Sequence, residues 1–185
     1  MSIEIEAKLK VDSLKEVEDK LKQLNAEFVE EQHQCDTHFD DSDNNLMNSD
    51  SCLRLRYQKS NNKTRYLITY KGAKEESSFK KRREIELEIM DADSMEELFA
   101  ALGYKKTMQI EKIRRLYRFG GCEVALDNLK LLGYFVEIEG PDEKVINNVQ
   151  KTLGLEQAKH IPVSYAALIA DKLAQEGTRT EHTHR

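Results

Sequence analysis

Charged and apolar residues alternate with a period of two in run after run of this chain, and that pattern calls for strands with one charged face. The stretch Ile3-Glu4-Ile5-Glu6-Ala7-Lys8-Leu9-Lys10 alternates strictly over eight residues, which predicts a strand. Side chains two apart share a strand face. Glu4, Glu6 and Lys8 therefore line one face, and Ile3, Ile5, Ala7 and Leu9 the other. One such strand alone would be a surface strand with its charges in water, but the pattern recurs. Arg54 and Arg56 oppose Leu53 and Leu55, and Arg65, Leu67, Thr69 and Lys71 oppose Tyr66, Ile68 and Tyr70. Arg82, Glu84, Glu86 and Glu88 oppose Ile85, Leu87 and Ile89. Lys112 and Arg114 flank Ile113, Ala125 and Asp127 oppose Val124 and Leu126, and Glu137 and Glu139 oppose Val136 and Ile138.

Eight runs read as strands: 3–10, 36–41, 52–58, 65–71, 82–90, 107–119, 122–129 and 134–139. Helices are predicted at 13–24, 94–102, 141–153 and 163–175. Asp12 or Ser13 caps the first, whose Leu14, Val17, Leu21 and Leu24 have helical spacing. Ser94 with Glu97 fits a capping box for the second, and Gly103 stands where a C-terminal glycine belongs. Pro141 falls in the first turn of the third, and Gly154 follows its end. Glu4-Ile5-Glu6-Ala7 followed by Asp12-Ser13 resembles Glu84-Ile85-Glu86-Leu87 followed by Asp93-Ser94, so a strand–helix–strand unit used twice is expected. Asp41, Asp43 and Asn45 begin like a calcium loop, but the turn glycine is missing and Cys52 holds the position of the closing glutamate. A solvated connector is expected there. Residues 72–81 read as a long hairpin loop with lysines in reach of an anion.

The 185 residues suit one domain, assigned to 1–176, with a polar tail over 177–185 whose His182 and His184 are expected in solvent. Apolar residues make up 39%, enough for a core, while 34% charged is high for a plain globular domain. The 29 basic and 34 acidic residues nearly cancel, so no global basic field argues for nucleic acid or a membrane surface. Cys35, Cys52 and Cys122 lack the spacing of a zinc site or disulfide framework. Reduced thiols in a cytoplasmic protein are expected, and neither a signal peptide nor a membrane-spanning run is visible.

Small β-barrels usually fill their interiors with apolar side chains. Here the apolar faces would pack outward under helices, and the charged faces would point into a shared channel. Buried charge is tolerated when it is paired or binds a ligand. Seven basic groups (Lys8, Arg54, Arg56, Lys71, Arg82, Lys112, Arg114) would meet seven acidic ones (Glu4, Glu6, Glu84, Glu86, Asp127, Glu137, Glu139). Arg and Lys together suit a polyphosphate. Carboxylates without Cys or His select a hard cation such as Mg²⁺ or Mn²⁺. The pattern points to a divalent metal bridging a triphosphate.

These residues resemble the CYTH superfamily of triphosphate tunnel metalloenzymes, in its class IV adenylate cyclase (CyaB-like) branch. The resemblance covers about 1–170 and rests on an ordered series: Glu4-x-Glu6-x-Lys8, Asp36-Thr37-His38-Phe39-Asp40, Leu53-Arg54-Leu55-Arg56, Thr69-Tyr70-Lys71-Gly72, Arg82-x-Glu84-x-Glu86, Lys112-x-Arg114-x-x-Tyr117, then Asp127, Leu132-Gly133, Glu137-x-Glu139 and Ser164-Tyr165. It implies an α+β fold, an eight-stranded antiparallel β-barrel flanked by helices.

By this resemblance Glu4, Glu6, Glu137 and Glu139, with Asp127, hold Mg²⁺ or Mn²⁺. Lys8, Arg54, Arg56, Lys71, Arg82, Lys112 and Arg114 hold the triphosphate, with Lys8, Lys71 and Arg114 the catalytic groups. Glu84 and Glu86 support the basic residues or hold a second metal. The activity implied is conversion of ATP to cyclic AMP and pyrophosphate, and the alternative is hydrolysis of inorganic or thiamine triphosphate. A non-catalytic polyphosphate or nucleotide module would keep the basic set without the metal ligands, whereas this chain carries both. The expected partner is a small triphosphate, with neither nucleic acid nor membrane. The apolar outer sheet face and fourth helix suit a homodimer.

Overall fold

In the computed structural model, residues 2–61, 63–75 and 80–181 are described. The strands are β1 (Ser2–Val11), β2 (Glu27–Asp40), β3 (Cys52–Ser60), β4 (Lys63–Lys74), β5 (Lys80–Ile89), β6 (Lys105–Phe119), β7 (Cys122–Leu129), β8 (Gly133–Glu139) and the short β9 (Lys159–His160). The helices are α1 (Leu14–Gln23), α2 (Asn45–Asn48), α3 (Ala92–Ala101), α4 (Glu143–Thr152) and α5 (Tyr165–Glu181). The sheet runs β5-β4-β3-β2-β6-β7-β8-β1, and β1 pairs back onto β5 to close an eight-stranded antiparallel barrel. β9 adds to β1 beyond the stretch that pairs with β5. Exchanging β1–β4 for β5–β8 maps the ring of pairings onto itself, with β2–β6 and β1–β5 unchanged. The repeated strand–helix–strand unit seen in the sequence is thus a two-fold of the topology, with the long strands β2 and β6 paired across it.

The period of two decides which side faces where. Ala7, Leu9, Val124, Leu126, Val136 and Ile138 point outward and pack against Leu14, Val17 and Leu21 of α1 and Ile146 and Val149 of α4. Phe39 and Leu55 do the same against Phe99 of α3. The main core therefore lies outside the barrel, between wall and helices, which leaves the inner face to polar residues. One end differs. There the inward positions are Ile110, Leu129 and Phe135, and they pack with Tyr165 and Ile169 of α5. Helix α5 thus covers that end of the barrel.

Several boundaries depart from the sequence expectation. β2 begins at Glu27, nine residues before the expected Asp36. A bulge between Phe28 and Glu30 breaks its alternation and hid it. Asp91, not Ser94, caps α3, accepting from the backbone of Asp93 and Ser94. α4 starts at Glu143 with Asp142 as cap, so Pro141 precedes the helix. Helix α5 continues to Glu181, into the stretch expected as a tail, while His182 and His184 lie outside the described residues. In the 42–50 segment the carboxylates of Asp40 and Asp41 accept backbone N–H groups around the one-turn helix α2. This is the connector expected there. Of the expected loop 72–81, residues 72–74 belong to β4, 80 and 81 to β5, and 76–79 lie outside the described residues. Gly103 and Gly154 end α3 and α4 at φ 88° and 74°, where a side chain would be strained. No described helix is long and apolar enough to cross a membrane.

Asp142 gives a simple stability test. Its Oδ1 accepts from Lys144 N at 2.8 Å and Val145 N at 2.9 Å. Asp142→Ala is expected to lower stability by about 1 kcal/mol in urea titration, the usual loss for a helix cap.

Candidate active site

The inward faces enclose a tunnel of about 540 Å³. Its wall carries Glu4, Glu6 and Lys8 of β1, Arg54 and Arg56 of β3, Lys71 of β4, Arg82, Glu84 and Glu86 of β5, Lys112 and Arg114 of β6, and Glu137 and Glu139 of β8. Thirteen of the fourteen charged residues singled out in the sequence therefore meet in one cavity. Register explains how: Glu4 lies opposite Arg82, Glu6 opposite Glu139, Lys8 opposite Glu137, and Lys71 opposite Glu84.

The exception is Asp127. It has no exposed surface and is absent from the tunnel wall. Arg114 Nε and Nη2 donate to its two oxygens at 2.7 and 2.6 Å, Lys112 Nζ donates at 3.2 Å and the Tyr165 hydroxyl at 2.9 Å. Burial would raise its pKa, but Arg114 and Lys112 outweigh this and hold it low. In this structure the oxygens of Asp127 take four hydrogen bonds, from Arg114, Lys112 and Tyr165, so it holds these groups in place.

Glu4, Glu6, Glu84, Glu86 and Glu137 lie against tunnel cations. Lys71 Nζ donates to Glu4 at 2.6 and 2.8 Å and sits 3.2 Å from Glu84. Lys8 Nζ is 3.2 Å from Glu137 and 3.8 Å from Glu6, and Arg114 also contacts Glu137. Glu86 accepts from Thr69 Oγ1 at 3.0 Å and lies 3.6 Å from Arg54. Glu84 and Glu86 thus each lie beside a basic group, Lys71 and Arg54 respectively. Glu139 is open to tunnel water, yet burial of its carboxyl and the charges of Glu4 and Glu6 push its pKa up to about 7. Lys112 is lowered to about 8 by burial and by Arg114. No three described His, Cys, Asp or Glu side chains converge as a ready metal cluster. The donor set Glu4, Glu6, Glu137 and Glu139, all oxygen, nevertheless fits a hard divalent cation.

Three tunnel groups belong to the motif series but receive no role from the sequence. Asp36, 5% exposed, accepts from Arg56 Nε at 2.6 Å and Nη2 at 2.8 Å and lies 3.5 Å from Arg54. Burial acts against its charge, but Arg56 and Arg54 prevail and hold its carboxyl below the usual range. Tyr165 of α5 places its ring under Lys8 Nζ at 4.3 Å and Lys112 Nζ at 5.0 Å. His38 contacts Cys52 Sγ through Nδ1 at 3.3 Å, and burial followed by the charges of Arg54 and Arg56 lowers its pKa to about 4, against the pull of Asp36. The alternation Gln32-x-Gln34-x-Asp36-x-His38 was the available signal, and the upstream bulge obscured it.

His38 makes stability pH-dependent. Between its folded pKa of about 4 and the ordinary 6.5, the unfolded chain binds more protons than the folded one. Its contribution is complete above 6.5 and is lost as pH falls through that window, with roughly 3 kcal/mol at stake. Urea titrations at pH 7 and 4.5 are expected to differ more for the wild type than for His38→Asn. Equal pH slopes would contradict the buried neutral imidazole.

Known proteins share this architecture. A proposed adenylate cyclase of Methanocaldococcus jannaschii is 36% identical over 137 residues, 74% of this chain and 76% of that protein. The structure of the PH1819 protein from Pyrococcus horikoshii superposes with a TM-score of 0.81 at 29% identity, covering 91% of this chain and 99% of that one. A proposed adenylyl cyclase from Hippeastrum, described as having a dominant triphosphatase activity, shares the fold with a TM-score of 0.70 at 18% identity, over 93% of this chain and 96% of that one. The sequence pattern of the CYTH domain matches residues 2–165, which span the whole barrel and reach Tyr165 at its covered end, and the chain belongs to the CYTH domain family.

Proposed function

We propose that this tunnel binds a triphosphate together with Mg²⁺ or Mn²⁺ and converts ATP to cyclic AMP and pyrophosphate. The observation that carries the reading is Arg82. It lines the tunnel with 3% exposure, and its Nε and Nη2 have no hydrogen-bond partner among the described residues. A buried guanidinium with unused donors is costly to hold, and a phosphate oxygen would satisfy both donors at once. The wider tunnel supports the same reading. Lys71, Lys8 and Arg114 now rest on Glu4, Glu137 and Asp127. If phosphate oxygens take over the lysines and Arg114, Glu4 and Glu137 are released together, and with Glu6 and Glu139 they would hold the cation. Charge in the tunnel would stay near balance through that exchange.

The bound cation would supply charge neutralisation at the reacting phosphate. The protein does the rest. Arg54, Arg56, Arg82 and Lys112 would fix the phosphate chain, while Lys8, Lys71 and Arg114 would stabilise the charge that develops as the ribose 3′-hydroxyl loses its proton to water, its oxygen bonds to the α-phosphorus and pyrophosphate leaves. Asp127 and Asp36 hold those cations in place beforehand, so little reorganisation is needed. The Methanocaldococcus relative supports the cyclase reading. The fold shared with the Hippeastrum protein supports a second one, hydrolysis of a triphosphate in the same tunnel.

The test is incubation with ATP, inorganic triphosphate or thiamine triphosphate, each with Mg²⁺ or Mn²⁺. Cyclic AMP and pyrophosphate are expected from ATP. Orthophosphate from inorganic triphosphate without any cyclic AMP would replace the cyclase with the hydrolase, and saturable binding without turnover would leave only a binding module.

A further inference from the structure

The inside of the barrel holds amides as well as charged side chains. The charged groups run along its length, and Lys112 and Arg114 of β6 lie opposite Gln34 and Gln32 of β2. Towards the mouth away from α5, β2 and β3 present three amides, Gln32, Gln34 and Gln58, at 6%, 3% and 4% exposure. Gln34 lies opposite Gln58 on one side and Lys112 on the other, two residues from Asp36. The amides therefore begin about 7 Å along the strand from the Asp36–Arg56 pair. Leu67, opposite Arg56, and Leu116, opposite Ala125, share this part of the wall with Arg65, opposite Gln58, and with Glu30, Arg118 and Glu123.

The amides form a directed chain. Gln34 Nε2 donates to Gln32 Oε1 and, at 3.1 Å, to Gln58 Oε1. Gln32 Nε2 donates to Glu30 Oε1 at 2.6 Å, and Ser60 Oγ donates to the other Glu30 oxygen. Because both neighbours of Gln34 Nε2 are acceptors, turning the Gln34 amide over would set oxygen against oxygen. Its orientation is fixed, and its Oε1, buried and lining the tunnel, has no donor among the described residues. A barrel that needed only filling would be more stable with apolar side chains here. A fixed acceptor without a donor, beside apolar side chains such as Leu67 and Leu116, suits the polar edge of an organic ring.

We propose that Gln32, Gln34 and Gln58 form a nucleobase subsite, in which Gln34 Oε1 accepts from the exocyclic amine of the base. The inference rests on the triphosphate reading above and narrows it to a nucleoside triphosphate with an amino-bearing base, such as adenine. Adenine presents an N–H donor where hypoxanthine presents a carbonyl acceptor. A carbonyl facing Gln34 Oε1 would leave two acceptors unpaired, and sites built around one hydrogen bond reject such analogues strongly.

The experiment measures kcat/KM, and competitive displacement of inorganic triphosphate, for ATP and inosine triphosphate with Mg²⁺, on wild type and on Gln34→Leu. Wild type is expected to favour ATP over inosine triphosphate by at least about tenfold, the discrimination one buried hydrogen bond supplies. Gln34→Leu is expected to bring the two within about twofold and to bind inorganic triphosphate as wild type does, which also certifies its fold. Equal use of ATP and inosine triphosphate by wild type would overturn the subsite while leaving the triphosphate site intact. So would a Gln34→Leu protein that loses inorganic triphosphate as much as it loses ATP. Failure of wild type to bind any triphosphate would overturn the underlying reading as well. The comparison on wild type alone decides the matter if Gln34→Leu does not fold.

Discussion

Asp127→Ala is expected to destabilise the protein by about 3–5 kcal/mol, the range for removing one partner of a buried ion pair. Asp127 is fully buried and faces Arg114 and Lys112 at 2.6 and 3.2 Å. Without it, two cations stay in a site with little water, and the Tyr165 hydroxyl loses its acceptor. Asp127→Asn keeps an acceptor oxygen and loses only the charge, so it should fall between wild type and the alanine variant. Urea unfolding measures both. A loss below about 1 kcal/mol, in the range of a surface pair, together with weakened Mn²⁺ binding, would favour Asp127 as a metal ligand and refute the positioning role.

Glu6→Gln carries the largest expected effect on activity. Glu6 is 4% exposed, opposite Glu139 in register and 3.8 Å from Lys8 Nζ. The amide keeps the shape of the side chain and removes a charge proposed to hold the cation. Turnover of the metal–triphosphate complex should fall by about 10²–10³-fold, the scale of losing one electrostatic group in a preorganised site. The loss should appear mainly in kcat, since the basic residues that grip the phosphates remain. Steady-state kinetics in saturating Mg²⁺ checks this, with a melting curve to show that the variant is folded. Full activity in Glu6→Gln would remove this glutamate from the proposed cation site.

Much of the site was legible because strand geometry is local. Period-two alternation places Glu4, Glu6 and Lys8 on one face whatever the rest of the chain does, and the same holds for Arg54 with Arg56 and Glu137 with Glu139. The repeated Glu-Ile-Glu motif at Glu4 and Glu84 likewise marked the two halves that the topology exchanges. Gln32 and Gln34 were missed for a local reason, the bulge after Phe28 that breaks the alternation of β2. Asp127 shows the limit from the other side. Its parity correctly put it on the inner face with Ala125, but parity carries no information about which neighbours occupy its oxygens.

The sequence by itself determined which residues point inward and that the inward set is charged, because a strand's two faces follow from backbone geometry alone. Only the tertiary structure decided how those charges are shared. Barrel closure between β1 and β5 brings Glu4 to Lys71 across 67 positions of chain, and α5 brings Tyr165 to Lys8, Lys112 and Asp127. Coulomb energies and hydrogen bonds depend on distance in space. Spacing along the chain therefore names the candidates, and the closed barrel assigns Asp127 to the cations while leaving Arg82 donors and the Gln34 acceptor unpaired among the described residues.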